Sequence, residues 1–253
     1  GTERVAKAAP DGYTILLHHS GITAAPALYS NLRYDTKAFV TAGTINAGPM
    51  VMVAKKGVEA KSAAELFDWM KKSAEKITLG HAGVGSNSHV CGLLIQSVLG
   101  AKFSFAAYRG TGPAMNDLVA GQIDAMCDQS TNAVPQITGG TVKAFMVLDD
   151  QRIGSIKDVP DAKTAGFPKL QMTIWHGVYL PAGAPADVVA KLNDAIKKAT
   201  ADKSVVEKFT AVGTTAFAPA DQTPAAHKKR FLADIEMNAK LLSEAGVKAQ
   251  EAK

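Results

Sequence analysis

Hydrophobic and polar positions along this chain follow two rhythms, one of short apolar runs and one of helical spacing. Val5, Ala8 and Ala9 recur at helical intervals and run into Pro10-Asp11-Gly12. Tyr13 to Leu17 is then a short apolar run that predicts a buried strand, closed by the polar loop His18-His19-Ser20-Gly21. Val51 to Ala54 predicts a second strand, and Ser62-Ala63-Ala64-Glu65 has capping-box spacing, so a helix follows to about Ser73. From there the order is regular: strand Ile77 to Leu79, helix Ser88 to Leu99, strand Phe103 to Ala107, helix Pro113 to Ala120 and strand Ile123 to Cys127. A polar loop from Asp128 to Val134, a short helix and the strand Val142 to Leu148 complete this stretch. Trp175 to Leu180 is a further strand, and Pro185 is placed as the first residue of a helix with Val188, Val189, Leu192 and Ile196 on its apolar stripe. A last helix after Thr223-Pro224 turns Phe231, Ile235 and Leu242 inward.

Strands that alternate with helices across short loops predict an α/β fold, and right-handed crossovers bring successive loops to the same sheet edge. Three polar loops therefore converge: Gly83-Val84-Gly85-Ser86-Asn87-Ser88, Tyr108-Arg109-Gly110-Thr111-Gly112 and Asp128-Gln129-Ser130-Thr131-Asn132. Ligands of such sheets bind beyond the carboxyl ends of the strands. The C-terminal helices bring no second parallel sheet, so they are expected to pack on the first segment and make a discontinuous domain around an inserted one.

Composition narrows the chemistry. With 253 residues, 47 % hydrophobic and 20 % charged, the chain is an ordinary globular protein and not a disordered or low-complexity one. Aromatic residues make up only 6 %, which disfavours stacking on sugars or single-stranded nucleic acid. The formal charge is +5, yet the longest basic run, Lys228-Lys229-Arg230, reads as a solvated helix face, so nucleic acid is not an expected partner. A weak positive field also suits capture of small anions. No apolar run is long enough to span a bilayer, and no signal sequence opens the chain, so the protein is either cytosolic or has lost its leader. Its opening reads like the interior of a domain, with an upstream element expected to be missing. Cys91 and Cys127 lie far apart in apolar surroundings without zinc-ligand spacing and are read as two buried thiols.

The candidate chemistry is that of anion binding. The loop from Gly80 to Ser86 has phosphate-loop glycines but no lysine after Gly85, and Gly83-Val84-Gly85 lacks the acidic ribose partner of a dinucleotide site near Tyr108. No tyrosine is followed four residues later by lysine, and neither GxSxG nor HExxH occurs, so no cofactor is implied. At Gly85-Ser86-Asn87-Ser88-His89 a strand enters a helix whose first-turn N–H groups and dipole attract negative charge, with the Ser86 and Ser88 hydroxyls either donating to an anion or merely capping the helix. A glycine at position 83 or 85 lets a carboxylate approach the main chain closely. Arg109 either pairs with that carboxylate or is a rim charge, and Asp128 either reads a ligand hydroxyl or amine or caps the next element. His18, His19, His81, His89 and His176 all fall near strand ends, but their spacing matches no metal-ligand set, and no metal is expected. Trp175 and Tyr179 read as core.

Five segments in series carry a family resemblance: Pro10-Asp11-Gly12-Tyr13-Thr14, Gly83 to His89, Tyr108 to Ala114, Gly121-Gln122-Ile123-Asp124, and Trp175-His176-Gly177 with Pro181-Ala182-Gly183. Together they resemble the substrate-binding proteins of tripartite tricarboxylate transporters, the Bug receptors. The resemblance implies a two-domain periplasmic binding-protein fold of type II, each domain a mixed sheet flanked by helices. Residues 1–56 and 168–253 would form the discontinuous first domain and 57–167 the inserted second. It further implies a periplasmic, monomeric receptor that takes a di- or tricarboxylate or an aromatic acid between two lobes and delivers it to membrane permease subunits, without entering the membrane itself. Carried over by position, Gly85, Ser86, Asn87, Ser88 and His89 would receive a carboxylate with Tyr108, Arg109, Gly110, Thr111 and Asp128 beside them, and Ser20 and Gly21 would belong to the first-domain wall. Asn87 departs from the Pro or Thr usual there, and the loop Asn46-Ala47-Gly48-Pro49, expected to line the cleft, also differs. The competing class is an enzyme acting on a small carboxylate in the same cleft. It needs a nucleophile or base with an oriented partner, and the sequence offers none.

Overall fold

A computed structural model of the chain describes residues 1–244, 247–249 and 251. Helix α1 (Thr2–Ala6) leads to β1 (Leu16–His19), α2 (Ala25–Leu28) and the long strand β2 (Val40–Lys55). There follow α3 (Ala63–Lys72), β3 (Thr78–His81), α4 (Asn87–Leu99), β4 (Ser104–Ala107), α5 (Thr111–Val119), β5 (Ala125–Gln129), α6 (Ser130–Thr138) and β6 (Val142–Val147). The chain ends with β7 (Thr173–Leu180), α7 (Ala186–Ala201), α8 (Lys203–Ala211), β8 (Thr215–Ala216) and α9 (Pro224–Glu244).

Two compact units emerge. The first gathers Gly1–Ala47, Trp175–Lys208 and the described residues from Thr215 onward; the second holds Gly48–Ile174 and Phe209–Thr214. This division differs from the expected one at 56/57 and 167/168 because it falls inside β2 and β7, both of which run on from one unit into the other.

In the second unit β2 runs antiparallel to β5 and β6, while β3 lies parallel to both β4 and β5. Alternate residues of β2 serve opposite faces, as the two-residue period of a strand requires. Met50, Met52 and Ala54 join Leu66 and Phe67 of α3 and Cys91 and Ile95 of α4 in one core. Val51 and Val53 join Met115 and Leu118 of α5 and Ala133 and Val134 of α6 in the other. This two-sided burial follows from strand order: β4 lies on one side of β3 and β5 on the other, so right-handed crossovers send α4 and α5 to opposite faces. Each fully buried side chain of Met or Leu size contributes about 1.5–3 kcal/mol. Helix α3 starts where its capping-box spacing predicts, with Ser62 Oγ accepting from the Glu65 amide at 3.1 Å, although the Glu65 carboxylate reaches back to the Lys61 amide at 2.9 Å, one residue before the N-cap.

In the first unit the strand order is β1-β7-β2, with β8 paired to β2 at Asn46 and Ala47. Phe39, Trp175, Tyr179, Phe231 and Ile235 build its core, confirming Trp175 and Tyr179 as interior residues. The α7 stripe of Val188, Val189, Leu192 and Ile196 packs on Ala42, Val178 and Leu180.

Several expectations are corrected. The strand placed at Tyr13 to Leu17 begins only at Leu16, and Tyr13 is 94 % and Leu17 61 % exposed, because β1 is a terminal strand in its sheet and buries a single face. Asn46 to Pro49 is strand, not loop, since β2 begins at Val40. The loop from Asp128 to Val134 is the end of β5 and the start of α6. Pro185 is the N-cap of α7 and not its first residue. Of the basic run, Lys228 is half-buried with its Nζ donating to the Lys37 and Phe39 carbonyls at 2.6 and 2.9 Å, and Arg230 lies over the Phe217 ring. Cys91 and Cys127 are not thiols: they form a disulfide that ties α4 to β5. The two residues are 36 positions apart in sequence, but α4 packs directly over β5, the strand that carries Cys127. A disulfide accords with an oxidising compartment.

Candidate functional site

The carboxyl ends of β3, β4 and β5 lie at one edge of the second unit's sheet, and α4, α5 and α6 all start there. At α4 the chain folds tightly on itself. Gly83 and Gly85 take φ of +115° and +80°, a left-handed region closed to most side chains, which lets the backbone double back before the helix. Ser86 is the N-cap: its Oγ accepts from the His89 amide at 3.3 Å and donates to the Gly83 carbonyl at 2.7 Å. Ser88 Oγ accepts the Ala82 amide at 2.9 Å and meets Ser86 Oγ at 3.0 Å. Of the two readings open for these hydroxyls, the geometry therefore displays capping. The Gly85 amide donates to His89 Nδ1 and the Gly83 amide to His81 Nδ1, both at 3.2 Å. Asn87, Ser88 and His89 are all buried.

The start of α5 is built differently. Its N-cap is Gly110, at φ +110°, and no side chain caps it. Arg109 beside it is exposed and forms no ion pair with a described residue. Tyr108 Oη donates to Asp117 at 2.7 Å, and burial followed by that carboxylate pushes the phenol up to about 12, so it stays a donor. Asp128 is fully buried at the end of β5. It accepts from the Gln129 amide at 2.8 Å, from Asn132 Nδ2 and from the Thr111 hydroxyl. Burial pushes its carboxyl up to about 7, against the pull of those three donors. Asp128 thereby locks the first residue of α5 to α6.

Gly85, Ser86, Asn87, Ser88, His89, Tyr108, Arg109, Gly110, Thr111 and Asp128 thus share one edge of the second unit. Ser20 and Gly21 belong to the first, at the turn after β1, where Ser20 Oγ accepts from the Trp175 amide at 3.5 Å and the Gly21 amide donates to His19 Nδ1 at 3.0 Å. The five histidines noted in the sequence separate into two groups. His18, His19 and His176 lie together in the first unit, with ring centroids at 4.5 and 6.4 Å, while His81 and His89 face each other at 4.5 Å in the second. Among the described residues no three His, Cys, Asp or Glu side chains converge as metal ligands. The sequence reading missed the part played by His81 and by the disulfide. Their signals were a histidine two residues before a glycine loop, and two cysteines just behind loops already argued to converge.

A chain of two α/β units, one inserted in the other, with helix starts gathered at a sheet edge, has the architecture of the periplasmic binding proteins. The solved structure of the periplasmic binding protein BugD superposes with a TM-score of 0.94 at 37 % identity, covering 99 % of this chain and 84 % of that one. MatC from Rhodopseudomonas palustris, solved with bound malate, superposes with a TM-score of 0.91 at 33 % identity over 95 % of this chain and 83 % of its own. Residues 1–245 match the family described as tripartite tricarboxylate transporter family receptor, and the chain belongs to that family. A UPF0065 protein of Agrobacterium vitis, from the TAR-I ttuE-ttuC' intergenic region, is 42 % identical over 97 % of this chain and 71 % of its own length. The family is one of receptors rather than enzymes. Among the described residues no helix is long and apolar enough to cross a membrane.

Proposed function

We propose that the protein is a periplasmic receptor that captures a small organic acid, a dicarboxylate in the first instance, and delivers it to the permease subunits of a tripartite transporter. The observation that carries this reading is the uncapped start of α5 at Gly110, flanked by the exposed Arg109 and set beside the start of α4 on the same sheet edge. Both helix dipoles place partial positive charge there, and a carboxylate arriving at the edge can accept from main-chain N–H groups while pairing with a guanidinium. The malate bound to MatC, a protein one-third identical to this one, supports a dicarboxylate as the ligand class. In this reading Ser86, Asn87 and Ser88 with Tyr108 to Thr111 receive one carboxylate, and Asp128 holds Thr111 in place from behind. Gly85 and His89 shape the α4 turn, and Ser20 and Gly21 remain candidates on the first unit. The protein carries out no reaction on its ligand.

A thermal-shift screen of dicarboxylates, tricarboxylates and aromatic acids tests this. Ligand at 100 times its Kd adds about 2.7 kcal/mol to the native state, enough to raise the melting temperature visibly. A flat response to all of them, accompanied by turnover of any one, would overturn the receptor reading in favour of an enzyme.

A further inference from the structure

The stacked pair His81 and His89 lies under the turn that starts α4. Resting on the reading of that turn as part of the ligand site, we propose that these two histidines are positioning residues, each holding one glycine amide on a neutral imidazole, so that protonation of the pair releases the turn and lowers affinity for the acid.

The geometry leaves little freedom in protonation state. A ring nitrogen that accepts a hydrogen bond carries no proton, so His81 and His89, both accepting at Nδ1, are neutral with the proton on Nε2. An imidazolium carries a proton on Nδ1 as well, which would set donor against donor at Gly83 and at Gly85 together. The rings lie 4.5 Å apart with their planes 32° from parallel, and the Phe105 ring closes on both at 5.6 and 5.2 Å. Two cations stacked at that distance in apolar surroundings repel strongly. Little stands nearby to neutralise them. The β3 and α4 elements present only the two histidines to each other, and β4 presents Phe105 and no charge. On β5 the carboxyl of Asp128 is taken by Thr111, Asn132 and the Gln129 amide, and after β4 Tyr108 is paired to Asp117 while Arg109 is exposed. Burial lowers both histidines from their ordinary value, at His81 against a backbone hydrogen bond with Gly83 that favours the charged form and at His89 to about 4 with His81 adding to the effect, so the pair stays neutral at neutral pH and charges only in acid. The two anchored amides belong to the residues with positive φ, and Gly85 directly precedes the N-cap of α4. Loss of both anchors frees the segment that sets where the first turn of α4 sits.

Calorimetric titration with malate from about pH 7.5 to about pH 3.5 tests the proposal, since the window then reaches below the lowered value of His89. His81→Asn and His89→Asn each keep an acceptor at the δ position and remove the titration, and comparing variants on one ligand cancels the ligand's own ionisation. The wild-type affinity should fall roughly tenfold further than that of the double Asn variant across the window, while His81→Leu and His89→Leu should weaken binding about equally at both ends. Nitrogen-15 shifts of the rings should report the Nε2–H form at neutral pH, and the Gly83 and Gly85 amide resonances should move in acid with the histidine titration. Parallel affinity curves for wild type and the double Asn variant, or an Nδ1–H form at neutral pH, would overturn the proposal. Were the wild type to bind no acid at neutral pH, the ligand reading would fail and the affinity claim with it, while the tautomer and glycine resonances would still decide whether the pair holds the turn.

Discussion

Removing the Cys91–Cys127 bridge is the perturbation whose size follows most directly from the fold. The bond closes a loop with a sequence separation of 36. Chain entropy for a loop of that length amounts to about 4 kcal/mol at room temperature, all of it acting through the unfolded state. Both sulfurs lie in the larger core of the second unit, so Cys91→Ala with Cys127→Ala leaves small apolar groups in an apolar setting and adds little further cost. For a chain of this size about 4 kcal/mol corresponds to a fall in melting temperature of roughly 8–16 °C. Differential scanning calorimetry of the double variant, with a urea titration to read the free energy, measures it. Because the bridge lies wholly in the second unit, a split transition should show the loss in one component. The bridge also joins the residue two places after His89 to the residue immediately before Asp128, so binding of a dicarboxylate should weaken under conditions where the variant is still folded. A stability change below about 1 kcal/mol, or two titratable thiols in denatured protein never exposed to reductant, would refute the reasoning.

Ser62→Ala removes the N-cap of α3 and should cost about 1 kcal/mol in urea denaturation without affecting binding. Gly85→Ala forces a Cβ into φ +80° and should cost about 1–2 kcal/mol and weaken ligand binding by calorimetry. Arg109→Ala should leave the melting temperature unchanged and weaken dicarboxylate binding at least about tenfold, an effect that disappears in high salt. Stability should rise a little as pH drops from 8 to about 6.5, where Asp128, raised to about 7, takes up a proton in the folded chain alone, and should then fall, because His19, His89 and His227 have folded values lowered to about 3, 4 and 3 from 6.5 and together outweigh it. The unfolded chain therefore takes up protons that the folded chain refuses, and the loss is complete only below the lowered values; melting curves across that range check it. His227 is fully buried with neither ring nitrogen hydrogen-bonded, packed on Trp175, Tyr179 and Phe231, so His227→Phe should raise stability by about 1 kcal/mol and shrink the acid loss.

The fold was legible where periodicity and punctuation agreed. Ser62 and Glu65 announced α3, and the apolar positions at 188–196 announced the half-buried packing stripe of α7. Legibility failed where tertiary context outweighed local pattern. Leu17 looks like core in a run of apolar residues, yet β1 is a terminal strand and turns it to solvent. Ser130 to Thr138 is helical although its sequence is polar and contains Pro135, because Ala133 and Val134 are drawn onto the sheet. The edge at which the loops meet could be deduced from crossover handedness alone. What each group does there could not: whether Ser86 donates outward or caps inward depends on a hydrogen bond to the Gly83 carbonyl, which no spacing rule specifies. The same holds for Asp128, whose three partners come from two helices and its own strand end.

Amide chemical-shift mapping of the nitrogen-15-labelled protein during a malate titration puts the receptor account to its hardest test. Saturable binding, with the largest shifts at residues 86–88 and 109–112, is the predicted result. Saturation with the largest shifts elsewhere, or a folded protein that answers to no organic acid, would contradict it.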